Sequence, residues 1–312
     1  MSISNKRILY LGTPDISAHV LEGLITAGYQ IVGVVAQPDQ PLGRKKIIEP
    51  VPTKKVALKY NIPVFQPQKI RNDYEFVKKL QIDLIICFSY GQIIPQGLLD
   101  IPPLGSINLH GSLLPKYRGA SPMQAALINR DKETGITLME MIDKMDAGKM
   151  YAKEVVPILA NDNYTSLSKK MGEAALRLIL RSLPLYLENK LPGVKQDEEL
   201  VTFTRLLKAE DEHLNLELSK EEIVGWILAL SDEPGAYLIF NNEKLKIYDA
   251  KIVSEEVLGD VGEIVKANKN GIYLQCKNGL VSLTKLQKPG KKVLGYRDFL
   301  NGERNLLNAR LV

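Results

Sequence analysis

Two runs constrain the fold of this chain more than anything else in it: residues 31–36 are apolar throughout, and residues 83–88 are apolar after the first position. A strand with one face in water alternates apolar and polar side chains, so unbroken runs belong to strands covered by helices on both faces. The surrounding pattern fits. Residues 7–12 read as a short buried strand and 17–28 as a helix with Val20, Leu21, Leu24 and Ile25 on one side. A helix over 51–60, a short strand near Val64 and a helix around 74–80 follow. Such alternation predicts an open, mostly parallel, Rossmann-like α/β sheet. Its ligand crevice lies outside the carboxyl ends of the strands, near the switch in strand order. Residues 88–92 and 108–110 both fall at predicted strand ends, which makes them candidates for one cleft.

Farther along, 121–129 reads as a helix, 135–142 and 150–157 as strands, and 165–187 as a long helix with Leu167, Met171, Ala174, Ala175 and Leu178 inward. Residues 188–200 contain Pro192, Gly193 and several charges, which is linker chemistry. Beyond Arg205 the texture changes. A short helix over 220–230 precedes five β segments, 236–240, 245–250, 262–267, 271–276 and 279–286, with Gly, Asn and Asp between them. This spacing suits a small barrel of the oligonucleotide-binding (OB) class and leaves a generic β sandwich open. A 312-residue chain has room for two cores. The expected plan is an α/β domain over 1–189, a linker over 190–205 and a C-terminal β-barrel domain over 206–312.

Hydrophobic content of 45% and charged content of 25% are ordinary for a soluble globular protein. No apolar stretch is long enough for a signal peptide or a membrane span, so a cytoplasmic location without a membrane partner is expected. Cys87 and Cys276 lie far apart, outside any Cys-x-x-Cys pair, and read as buried thiols with no disulfide or zinc role. The formal charge of +5 is modest, but its placement is uneven. Residues 266–297 carry eight Lys or Arg and no acidic residue, whereas 206–263 carries fourteen acidic and five basic ones. A second cluster, Arg44, Lys45, Lys46, Lys54, Lys55 and Lys59, has only Glu49 as a local opposing charge. Such patches attract polyanions by phosphate contact and counterion release, and they also serve as plain solvated faces.

Gly12-Thr13-Pro14 follows the first strand, where a dinucleotide fingerprint would sit. Pro14 and Asp15 occupy positions that need close backbone approach, and the chain has no Gly-x-Gly-x-x-Gly, no Walker motif and no Gly-x-Ser-x-Gly elbow. His19 and His213 lack metal-ligand company and read as structural. Asn108 and His110 are different: two residues apart at a strand end, their side chains leave on the same face. Asp146, in the run Met145-Asp146-Ala147-Gly148, is placed to orient the imidazole or hold a water once a turn brings it back. Spacing alone leaves a structural turn open for the first pair and a turn-forming role open for Asp146. Amide, imidazole and carboxylate together form a kit for moving an acyl group between two nitrogens.

Gly12-Thr13-Pro14, the run Asn-Leu-His-Gly-Ser-Leu-Leu-Pro-Lys-Tyr-Arg-Gly over 108–119 and Met145-Asp146-Ala147-Gly148 resemble the methionyl-tRNA formyltransferase family. The wider group includes glycinamide ribonucleotide formyltransferase, amino-sugar formyltransferases and 10-formyltetrahydrofolate dehydrogenase, which share the Asn, His, Asp trio. The resemblance covers essentially the whole chain, including a C-terminal domain that the purine enzyme lacks. It implies 10-formyltetrahydrofolate as donor, the α-amino group of methionine on initiator tRNA as acceptor, no metal and a monomer. Because the amino-sugar branch also has a C-terminal domain, a nucleotide-linked amino sugar is the alternative acceptor.

The resemblance also implies roles. Asn108 and protonated His110 would donate to the formyl oxygen, with Asp146 stabilising the imidazolium and holding a water that relays a proton. Tyr90, Gln92 and Ile94 would flank the pterin, Asp143 and Met145 would close the opposite loop, and Ser112, Leu113, Leu114 and Pro115 would keep strand end and donor site in register. Gly12, Thr13 and Pro14, the inserted basic residues Arg44, Lys45 and Lys46, and the distant Lys291 and Lys292 would meet the acceptor arm. Some positions depart from the pattern. Ile16 stands where an aromatic residue is usual, and Lys208-Ala209-Glu210-Asp211 and Leu214-Asn215-Leu216 replace Lys-x-Asp-Gly and Ile-Asp-Trp.

Overall fold

β1 (Arg7–Gly12) leads into α1 (Asp15–Thr26), β2 (Gln30–Val35), a hairpin of β3 (Gln40–Leu42) and β4 (Ile47–Glu49), α2 (Pro52–Lys59), β5 (Val64–Phe65), α3 (Glu75–Lys79) and β6 (Leu84–Phe88). The chain continues through α4 (Gln96–Leu99), β7 (Ser106–His110), β8 (Arg118–Gly119), α5 (Pro122–Ile128), β9 (Glu133–Glu140), β10 (Met150–Pro157), α6 (Tyr164–Leu187) and β11 (Phe203–Thr204). These elements belong to a computed structural model that describes residues 5–42, 47–303 and 305–312. The chain divides into two units. One comprises the described residues up to Pro122 with Thr134–Pro157 and Ser168–Thr204, and the other comprises Met123–Glu133, Ile158–Leu167 and Arg205–Val312.

In the first unit the sheet order is β10-β9-β7-β6-β1-β2-β5. The pairs β1–β2, β1–β6, β2–β5 and β6–β7 are parallel and β7–β9 is antiparallel, so the sheet is mostly parallel, as expected. Burial explains the unbroken apolar runs. Leu9, Leu11, Val35, Ile85 and Cys87 share a core with Ile70, Val77 and Leu98, each aliphatic side chain contributing about 1.5–3 kcal/mol on leaving water. The chain builds β2 and β5 on one side of β1 and then crosses to β6 and β7 on the other. The strand order therefore reverses between β1 and β6, and the crevice opens at their carboxyl ends.

Helix α1 starts two residues earlier than its apolar period indicates. Pro14 caps it from an extended conformation, its carbonyl accepting from the backbone N–H of Ser17 and of Ala18 at 2.9 Å, and Asp15 sits in the first turn, where the helix dipole favours a carboxylate. Gly12 makes this close turn possible. A Cβ there would lie 1.8 Å from Ser17 Oγ and 2.8 Å from the Phe88 carbonyl. Ile16 is buried on α1 and faces Gly172 of α6.

In the second unit, Ser219 and Glu222 form a reciprocal capping box at the start of α7 (Lys220–Ala229). There follow β12 (Ala236–Phe240), β13 (Glu243–Ser254), β14 (Ile264–Asn268), β15 (Gly271–Cys276), β16 (Gly279–Gln287), β17 (Leu294–Gly295) and α8 (Tyr296–Gly302). The strands form an antiparallel path β12-β13-β16-β15-β14, with β17 on β16. Asn241 and Asn242, both at positive φ, make the tight β12–β13 turn. No ladder joins β12 to β14 among the described residues. Instead, the last residues of the sequence bond to both edges: Asn308 N–H donates to Ile264 O, Leu311 N–H to Gly262 O, and Val312 and Ile239 exchange N–H···O bonds. Leu306 and Leu311 are buried in the core beneath. The His213 ring stacks on Tyr237 with centroids 4.9 Å apart. Among the described residues no helix is long and apolar enough to cross a membrane.

Candidate active site

Strand β7 carries Asn108 and His110 to the carboxyl edge of the sheet, Asn108 opposite Cys87 of β6 and His110 opposite Thr137 of β9. The Asn108 side chain is half-buried, and its amide has no protein partner among the described residues. His110 is 5% exposed, with Nε2 2.9 Å from the Tyr117 carbonyl oxygen. A carbonyl only accepts, so Nε2 carries the hydrogen of that bond, and Nδ1 is the nitrogen left for chemistry. It lies 3.5 Å from Asp146 Oδ1.

Asp146 reaches this position through a sharp turn. Its φ of +49° lies in the left-handed region, and Gly148 follows where a Cβ would come within 2.0 Å of the Glu140 carbonyl. Gly119 N–H donates to Asp146 Oδ2 at 2.8 Å. One carboxylate oxygen is thus held by backbone while the other faces the imidazole.

The 112–115 segment is braced against β9 and β10. Ser112 Oγ donates to Lys116 O at 2.6 Å, Leu114 N–H donates to Thr137 Oγ1 at 3.1 Å, Thr137 Oγ1 donates to Ser112 O at 2.7 Å, and Lys153 Nζ donates to Leu114 O. Leu114 is buried, and Leu113 lies against Gly135.

At the β1–β6 crevice, Thr13 Oγ1 donates to Tyr90 O and accepts from Gln37 N–H, so Thr13 and Gly12 serve here as packing and bracing groups while Pro14 is exposed. Tyr90 is 2% exposed and its hydroxyl has no hydrogen-bond partner among the described residues; burial pushes its pKa up, keeping it a neutral donor. Ile94 packs on the same core as Tyr90. Gln92 is differently used: it accepts from Ile70 N–H at 2.7 Å and donates to Gln37 Oε1 at 3.0 Å, which commits its amide to bracing the crevice wall. Asp143 and Met145 are exposed on the Asp146 loop. Burial pushes the Cys87 thiol up to about 12, so it is inert beside the site.

The basic cluster looks different once folded. Lys54 pairs with Asp39, Lys55 with Glu49 and Lys59 with Glu22, so carboxylates distant in sequence neutralise cations that only Glu49 opposes locally. Arg44, Lys45 and Lys46 lie outside the described residues. Lys291 and Lys292 are exposed and have no carboxylate partner among the described residues.

Three residues escaped the sequence reading. Arg118 has no solvent exposure; its Nε donates to Gln196 Oε1 at 3.0 Å, and its terminal nitrogens donate to Glu198 at 2.8 and 3.3 Å. The Arg118 guanidinium holds the Glu198 carboxyl below its usual range. Arg118 stands in the motif run, which was a signal. Gln196 and Glu198 stand in linker chemistry, which gave none.

Known proteins resemble this chain in sequence and fold. The family profile for formyl transferase matches residues 6–183, and that for the formyl transferase C-terminal domain matches residues 206–304. Methionyl-tRNA formyltransferase of Dictyoglomus thermophilum is 42% identical over 312 aligned residues, covering 97% of this chain and 99% of that protein. The chain belongs to the methionyl-tRNA formyltransferase family. The corresponding protein of Staphylococcus aureus strain MW2 is 39% identical over 96% of this chain and 97% of its own length. Among solved structures, the N-formyltransferase of Helicobacter canadensis with folinic acid and dTDP-3-aminofucose aligns with a TM-score of 0.68 at 19% identity, covering 91% of this chain and 99% of that one. HypX of Aquifex aeolicus with tetrahydrofolic acid aligns at 0.66 and 17%, over 97% of this chain and 48% of that protein, so this chain spans about half of it. These two likenesses speak to the fold alone.

Proposed function

We propose that this protein transfers the formyl group of 10-formyltetrahydrofolate to the α-amino group of methionine esterified to initiator tRNA. The observation that carries the chemistry is the convergence, at one strand end, of an Asn108 amide with no partner among the described residues and the His110 Nδ1–Asp146 Oδ1 pair. The family relation to relatives named for methionyl-tRNA favours this acceptor over an amino sugar.

The crevice fits a folate donor on its own terms. Among the described residues the buried Tyr90 hydroxyl lacks a partner, which a pterin's polar edge would supply, and Ile94 offers the apolar wall beside it. When bound, the donor supplies a formyl group already attached to nitrogen. Asn108 Nδ2 donates to the formyl oxygen as negative charge grows there, which lowers the barrier directly. The imidazole of His110 is held through Nε2, so a second donation to that oxygen runs through Nδ1. A separation of 3.5 Å exceeds an ordinary N–H···O bond and leaves both Nδ1 and Asp146 Oδ1 able to engage a third group. Asp146 stabilises the imidazolium, whose Nδ1–H donates to the formyl oxygen, and holds the water that relays the proton from the attacking amine toward the departing nitrogen. This reading carries with it a monomer in the cytoplasm that meets the acceptor arm through Arg44, Lys45 and Lys46 near the reactive end and Lys291 and Lys292 farther away.

A side-by-side assay with 10-formyltetrahydrofolate, offering initiator methionyl-tRNA, elongator methionyl-tRNA and nucleotide-linked amino sugars, is expected to show strong preference for the initiator species. Transfer to an amino sugar with none to tRNA overturns the proposal. Replacing Lys291 and Lys292 together by alanine is expected to weaken tRNA binding, leave most of the saturating single-turnover rate and make the dependence of affinity on salt shallower. An unchanged affinity and salt slope would assign both lysines to a solvated face.

A further inference from the structure

Residues 194–204 run from a linker-like sequence along both loops that hold the His110 imidazole. Met150 and Val194 exchange N–H···O bonds at 2.8 Å, Tyr117 N–H donates to Thr202 Oγ1 at 2.9 Å, and Arg118 N–H donates to Thr202 O at 2.9 Å. Tyr117 supplies the carbonyl that binds His110 Nε2. On the other side of the ring, Gln196 Nε2 donates one hydrogen to Asp146 O at 2.7 Å and the other to Gly148 O at 2.9 Å. The Gln196 carbonyl oxygen accepts from the buried Arg118 guanidinium. Both N–H groups and the oxygen of this 8%-exposed amide are therefore engaged, and two of its three bonds end on the turn that aims Asp146.

We propose that Gln196 is a positioning residue for formyl transfer, acting through Asp146; the inference rests on the reading given above. Asp146 is in the left-handed region at φ +49°, and of its turn's two inward carbonyls the Asp146 oxygen is part-buried and the Gly148 oxygen is in a buried bond, where water does not readily replace a lost donor. Without Gln196 those carbonyls seek other partners and the turn relaxes. The Oδ2 bond to Gly119 N–H then no longer suffices to hold Oδ1 opposite Nδ1. Reaction geometry is sensitive to such shifts: a displacement of about 1 Å costs on the order of a hundredfold in rate.

The test uses the full-length protein and two variants. Gln196→Glu keeps an acceptor for Arg118, which protects folding, but loses both donations and sets oxygen against the Asp146 and Gly148 carbonyls. Gln196→Met has similar length and removes all three bonds. Single-turnover formylation at saturating donor and tRNA is expected to slow by about tenfold to a hundredfold in both, with the tRNA concentration giving half the maximal rate changed less than about twofold. Combined with Asp146→Ala, Gln196→Glu is expected to add little further loss, because its effect passes through the missing carboxylate. A near-wild-type rate for Gln196→Glu, or the same fold loss with and without Asp146, overturns the positioning role while leaving the formyltransferase reading intact. Failure of the wild-type protein to formylate tRNA in the same assay overturns that reading and this inference with it.

Discussion

Asn108→Ala is expected to slow single-turnover formyl transfer by about two orders of magnitude or more while leaving the fold intact. Loss of one donor to a developing oxyanion costs about 3–4 kcal/mol in the transition state, and each factor of ten in rate corresponds to about 1.4 kcal/mol. The structure explains why stability should be spared. Because the Asn108 amide has no protein partner among the described residues, its removal orphans no buried group. The measurement is the transfer rate with saturating donor and tRNA, beside a thermal unfolding curve. A rate close to wild type removes Asn108 from the chemistry, and a large fall in the unfolding temperature assigns it to the sheet.

The second large effect is expected at the His110–Asp146 pair. His110→Ala and Asp146→Ala should each slow the reaction by about 10²- to 10⁴-fold, the range of a positioned acid–base group. The double variant should lose far less than the product of the two. Both residues are proposed to stabilise one developing charge network, and groups that act as a unit are strongly non-additive. Asp146→Ala also removes the acceptor of the Gly119 N–H bond, so Asp146→Asn is the cleaner companion, keeping an oxygen for Gly119 while removing the charge. A complete cycle on single-turnover rates decides the matter. Strictly additive losses would mean that Asp146 only shapes its loop, and a fully active Asp146→Asn would mean that its charge is not used.

Much of this protein was legible one residue at a time. The runs at 31–36 and 84–88 announced doubly covered strands because complete burial leaves no room for polar alternation, and β12, β15 and the Leu167–Leu178 face of α6 followed from periodicity. The Asn108–His110 pairing followed from the two-residue repeat of a strand. The start of α1 was misplaced because Pro14 and Asp15 form a cap by backbone geometry, which apolar period does not report. The Asn308–Val312 run was missed because it is too short to show a pattern of its own and acquires partners only from β12 and from the chain at the start of β14.

By itself the sequence determined the local chemistry: which strands are buried, which residue types stand at the β7 end, and which family they resemble. Tertiary structure alone decided how those residues are used. It assigned His110 Nε2 to the Tyr117 carbonyl and so reserved Nδ1, engaged the Gln92 amide in the crevice wall, paired Lys54 and Lys59 with distant carboxylates, and drew Gln196 from an unremarkable linker to the Asp146 turn. The physical reason is one of range. Burial and strand period are written in neighbouring residues, whereas a hydrogen bond depends on where its partner lies in space, and Gln196 meets Asp146 across 50 positions of chain.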